Sequence, residues 1–170
     1  MAKRCLADGR ELNMKTYLLY GEWADTRKKT SIQVCGIVPD FLNTVPQCAW
    51  NDSWIRYGLG KYGAIYCTYC DKNLVRGFSP AETVEISSVL THGAPSCEFN
   101  WIGANFQTEQ EFYDLMKLKS EISHYTMKDF FYHSGHALSA LRRTFYVELS
   151  VPETERICSA ALWEFAGIMG

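Results

Sequence analysis

The period of apolar and polar positions changes along the chain and divides it into regions. Residues 31–37 and 41–45 alternate over short runs on either side of the Pro39-Asp40 turn signal, which predicts a first hairpin. Residues 83–90 and 97–102 alternate again around His92-Gly93-Ala94-Pro95-Ser96, and predict a second. Between the hairpins, residues 61–77 have helical spacing and end at Gly77 and Pro80. The stretch up to Trp23 has weaker helical spacing, and a short segment from Trp50 to Tyr57 is broken by Gly58 and Gly60. After Gly103 the pattern is helical, over 109–119, then 127–149, then a last helix opened by Pro152-Glu153. Strands first and helices last predict one α+β domain over residues 1–170. It should be an antiparallel sheet of hairpins covered by helices, with a helical C-terminal third. In the second hairpin, alternation puts Val84, Ile86, Leu90, Phe99 and Trp101 inward and Glu85 and Glu98 outward.

Composition narrows the picture. With 170 residues and 47% hydrophobic content, the chain can bury a core without staples. Lys+Arg 17 against Asp+Glu 19 leaves a net charge of −2, and the basic runs Arg27-Lys28-Lys29 and Arg142-Arg143 are short. Binding to a phosphate backbone has no electrostatic footprint here. No apolar stretch approaches the roughly 20 residues that cross a bilayer, and the N-terminus runs into Asp8, Arg10 and Glu11 rather than a signal-peptide core. A cytoplasmic protein without a nucleic-acid or membrane partner is expected. The seven cysteines are odd in number and scattered, which fits reduced thiols. Cys67-Thr68-Tyr69-Cys70 lacks the second pair that zinc needs and reads as two half-buried thiols.

Three places put polar chemistry on an apolar face. If residues 93–96 form the hairpin loop, His92 and Cys97 stand opposite each other, and an imidazole there would lower the thiol pKa and supply a nucleophile. The competing reading is an ordinary buried cysteine at a hairpin end. On the helix at 61–77, Cys67, Asp71, Leu74 and Phe78 form the inward stripe, and Asp71 interrupts it. A carboxylate in that position is either paired or raised in proton affinity, as general acids and bases are. His133 and His136, three apart beside the line of Ala137, Leu141 and Phe145, project to neighbouring positions. A divalent metal there, with Asp71 or Cys97 as further ligands, is the less favoured alternative to a site without metal or other cofactor.

In order and spacing these residues resemble the L-2-amino-thiazoline-4-carboxylic acid hydrolase family. The matching pieces are Tyr20-Gly21-Glu22-Trp23, Cys48-Ala49-Trp50, the Tyr66-Cys67, Asp71, Gly77-Phe78 and Pro80 series, Leu90-Thr91-His92-Gly93 with Cys97-Glu98-Phe99, and Tyr132-His133 with His136-Ala137. The resemblance runs from about Tyr17 to the end of the chain. Ala49 stands where the family pattern has proline, Ala94-Pro95 replaces a more acidic turn, and an upstream helical segment of the pattern is expected to be missing.

The resemblance implies a small-molecule hydrolase that opens a cyclic isothiourea at a C–N bond. Cys97, His92, Asp71 and His133 would then be catalytic, with His136, Cys67 and Trp101 binding substrate. The mechanism expected has Cys97, held by His92, attacking C2 itself, which is favoured, or orienting a water, with Asp71 on the protonated amidine and His133 or His136 protonating the leaving nitrogen or anchoring the substrate carboxylate. Assembly into a homo-oligomer is compatible with this reading. The hairpin also resembles that of vinyl-reductase-type (V4R) sensor domains, so a non-catalytic small-molecule binder is the main rival.

Overall fold

The computed structural model describes residues 1–23 and 29–169, so Arg27 and Lys28 of the first basic run lie outside the described residues. Two compact units are present, Met1–Met127 and Lys128–Gly170.

The first unit is built on a four-stranded sheet of order β1-β2-β4-β3. Its strands are β1 (Ser31–Gly36), β2 (Phe41–Gln47), β3 (Glu85–Ser88) and β4 (Cys97–Trp101), and every neighbouring pair is antiparallel. Both predicted hairpins are formed. The centre of the sheet pairs Phe41 with Trp101, Asn43 with Phe99 and Val45 with Cys97, so these six side chains share one face. Ile86 stands opposite Phe99 on that face, while Glu85 and Glu98 are exposed. The predicted inward and outward faces therefore hold, although the strands pair Ile86 with Phe99 where a loop at 93–96 would pair Leu90 with it. The third strand is shorter than predicted: it ends at Ser88 after a register shift, and the chain enters a 3₁₀ turn over Leu90–His92. Gly93 closes that turn at φ +86°, a left-handed conformation that suits glycine.

Helices cover the inward face. They are α1 (Ala2–Ala7), α2 (Met14–Tyr20), α3 (Ala49–Arg56), α4 (Gly60–Phe78) and α5 (Glu109–Thr126). Of these, α3 packs on α4 rather than on the core. Local chemistry sets their starts. Asn13 caps α2 in a reciprocal box with Thr16, and the Thr108 hydroxyl accepts from the Glu111 backbone N–H at the head of α5. The core lies between α2, α4, α5 and the sheet, around the fully buried Met14, Leu19, Val75 and Phe106. Phe41 stacks on Phe112 of α5, and Tyr17 of α2 stacks on Trp101 of β4. Gly63 lets α3 approach α4, because a Cβ there would lie 2.4 Å from the Trp54 ring. The same helix pair gathers Trp50, Trp54 and Tyr66 into one aromatic cluster.

The second unit is a helix pair, α6 (Phe130–Glu148) and α7 (Val151–Met169). Asp129 caps α6 through the Tyr132 backbone N–H. Arg142 and Tyr146 of α6 both bind Glu155 of α7, while Thr154 and Cys158 of α7 are buried. Among the described residues no helix is long and apolar enough to cross a membrane.

Candidate functional site

The site grows from the inward stripe of α4. Phe78 ends the stripe against Tyr17, edge to face at 5.6 Å. About two turns earlier, Asp71 takes a carboxylate into the same layer, and no hydrogen-bond donor reaches it among the described residues. Burial alone pushes the Asp71 carboxyl above the usual carboxylate range. A charge there would cost solvation that nothing nearby returns, so the proton is held more tightly.

Thiols and phenols surround this carboxyl. Burial pushes the Cys67 and Cys97 thiols up, and the fields of Cys48 and Asp71 add to it. Cys70 is pushed up to about 11, chiefly by burial. Tyr17 and Tyr66 are raised for the same main reason, with Asp71 a further contributor to both. Three neighbours oppose the trend at the thiols: the Leu90 backbone N–H donates to Cys97 Sγ at 3.3 Å, the Thr91 hydroxyl acts on Cys67, and the Tyr66 hydroxyl acts on Cys70. Asp71, Cys67 and Cys97 are thus brought together in one poorly solvated cluster.

The expected facing of His92 and Cys97 is not found. Because the strand stops at Ser88, His92 falls on the 3₁₀ turn, and its exposed ring turns to α4. There Nε2 lies 3.2 Å from Thr68 Oγ1 and 3.3 Å from the Ala64 carbonyl oxygen. The partner of Cys97 is instead the Leu90 N–H, so the thiol has a dipole in place of an imidazole. Trp101 is held in the core, with its indole N–H donating to Asn43 Oδ1 at 2.7 Å. His133 and His136 belong to the second unit, where Tyr132 stacks on His136 and meets His133 edge-on. Among the described residues, no three His, Cys, Asp or Glu side chains are grouped to hold a metal ion.

A cleft of about 380 Å³ lies between α4 and the third strand with its following turn. Cys67, Thr68, Lys72, Ser87, Ser88 and His92 are among the residues lining it, so Cys67 is common to the cleft and to the buried cluster. That volume is of the order that small ligands occupy. The sequence reading did not single out Lys72. The available signal was the Ala64, Thr68, Lys72 row, which runs at helical spacing beside the inward stripe.

Residues 1–101 match the family model for L-2-amino-thiazoline-4-carboxylic acid hydrolase, a span that takes in the sheet, α4 and the whole of this cluster. The chain belongs to that hydrolase family. The matched span includes Asp71, His92 and Cys97 of the resembling pieces, whereas His133 and His136 fall outside it. Neither a curated protein nor a solved structure matches the chain.

Proposed function

We propose that the protein hydrolyses a C–N bond, other than a peptide bond, in a small cyclic amidine or isothiourea, of which 2-aminothiazoline-4-carboxylate is the type named by its family. The observation that carries this reading is Asp71, a poorly solvated carboxyl without a donor whose field reaches the Cys67 and Cys97 thiols, Cys67 being also a wall of the cleft. A cyclic amidine is a strong base and arrives protonated, and an unpaired carboxylate is the group that would receive it. Binding the amidinium would return to Asp71 the stabilisation that burial removes.

Hydrolysis then adds water oxygen to C2 and breaks the bond from C2 to the ring nitrogen. The proton lost by water passes through Asp71 to the departing nitrogen, leaving a thiocarbamate and a free amine with no net change of protons. Water is the better attacking group here, since burial keeps Cys97 protonated and no imidazole is in contact to take its proton. This reverses the sequence-based preference for direct attack by Cys97. In this reading Cys67 and Cys97 line the path of the ring. No cofactor takes part, and the reducing cytoplasm, which suits free thiols, is the proposed compartment.

The test is loss of 2-aminothiazoline-4-carboxylate, followed by proton NMR. Asp71→Asn should lower kcat by about 100-fold or more while the protein stays folded. Full turnover in that variant would remove the proton-transfer role. A covalent adduct trapped on Cys97, seen by mass spectrometry, together with an inactive Cys97→Ala, would restore direct attack. Failure of the wild-type protein to turn over any cyclic amidine, combined with retention of a small ligand through purification, would favour the sensor reading.

A further inference from the structure

On the side of α4 that faces away from the core, Lys61, Tyr62, Ile65, Tyr69, Lys72 and Arg76 are all exposed. A helix turns about 100° per residue, which gathers these six within roughly one third of its circumference and along about 22 Å of its length. Cations and apolar groups interleave there, with Tyr62, Ile65 and Tyr69 being 53%, 61% and 62% exposed. The one acid of α4, Asp71, is turned inward. Lys61, Lys72 and Arg76 enter no hydrogen bond or ion pair among the described residues, and Lys61 Nζ lies over the Tyr62 ring, 4.7 Å from its centroid. The chain as a whole carries a charge of −2, and these cations form no run in the sequence. Helix formation assembles them into a basic arc.

We propose that this arc of α4 docks the protein on an anionic lipid surface. The charges are complementary in sign, since Lys and Arg meet acidic headgroups while no carboxylate of α4 stands among them to repel. The interleaved apolar groups match the same interface: tyrosine rings rest at headgroup level, and an isoleucine enters the acyl boundary. The face of a single helix is convex and provides no groove for a peptide, and Tyr62 already has Lys61 over its ring in place of an open platform for a base. A lipid surface requires neither. The expectation of no membrane partner came from the lack of a spanning segment, and contact along one helix face needs no span. Lys72 also lines the cleft, so docking brings the mouth of the cleft beside the lipid surface.

The experiment sediments the full chain with vesicles of phosphatidylcholine alone or with about 30% phosphatidylserine, which makes the surface anionic. Wild-type protein should sediment with the anionic vesicles and stay in solution with the neutral ones. Raising salt from about 0.1 M to about 0.5 M should release it, because screening shortens the reach of the headgroup charge. Each basic side chain near such a surface strengthens binding about fivefold, so Lys61→Gln combined with Arg76→Gln should weaken partitioning about 25-fold. Lys61→Arg combined with Arg76→Lys keeps both charges and should bind as wild type does. All four substitutions are at exposed positions, so circular dichroism and melting should not change. No sedimentation with anionic vesicles, equal sedimentation with neutral ones, or binding that survives the loss of both charges would overturn the proposal. So would an oligothymidine that binds through the same cations while anionic vesicles do not, which would assign the arc to nucleic acid. The readout is binding alone and holds whatever the substrate of the protein.

Discussion

Helices α4 and α6 are each 19 residues long, and each has polar side chains on or beside an apolar line, but they end in different surroundings. The line of α4 packs on a core that includes the sheet, so Phe78 is 4% exposed and Asp71 is drawn into the layer with it. In its own unit α6 has only α7 as a neighbour, and Leu141 of its apolar line is 52% exposed. A sheet presents a broad apolar surface, whereas one helix presents a single seam. The difference teaches that spacing marks which side chains could be buried, and the partner decides whether they are. It also shows why a carboxylate on α4 acquires unusual chemistry: α4 has a surface able to exclude water from it.

The comparison can be broken most directly at the core side of α4. Phe78→Ala should cost about 3–5 kcal/mol, the range for removing a buried aromatic ring, measured by urea denaturation; a cost below about 1 kcal/mol would mean the stripe is not the core face.

A smaller effect is expected at Asp71, and it should depend on pH. Its pKa is higher folded than unfolded, so between those two values the folded state holds more protons. Stability contributed by this group is therefore complete below the unfolded pKa and is lost as pH rises through the folded one. Asp71→Asn should remove that slope and stabilise the protein at neutral pH, even as it removes turnover. Urea midpoints for both proteins from pH 4 to 8 would check this, and parallel curves would refute the buried-carboxyl account. The smallest effect is expected on α6, where Phe131→Ser should change stability by no more than about 0.5 kcal/mol; a large loss would show that its ring is covered in solution.

Much of the first unit was legible in sequence because its signals are local. Alternation with turn residues marked both hairpins and the faces of their strands, and helical spacing marked α4 together with the intrusion of Asp71. The Cys97 and His92 pairing was not legible, since it assumed that a strand continues as long as its residues alternate. The register shift near Ser88 and the 3₁₀ turn at Leu90–His92 are set by how the backbone meets α4, where the imidazole finds Thr68 and the Ala64 carbonyl.

By itself, then, the sequence determined the order of elements, the face each strand and helix offers, and the family, all of which depend on residue type and spacing. Only the tertiary structure decided which polar groups meet. It put Leu90 N–H in place of His92 against Cys97, and joined Cys67 to both Asp71 and the cleft with Lys72. The physical reason is that desolvation and charge pairing depend on neighbours far apart in the chain, and a proton held at Asp71 reflects the water that the sheet and helices jointly exclude.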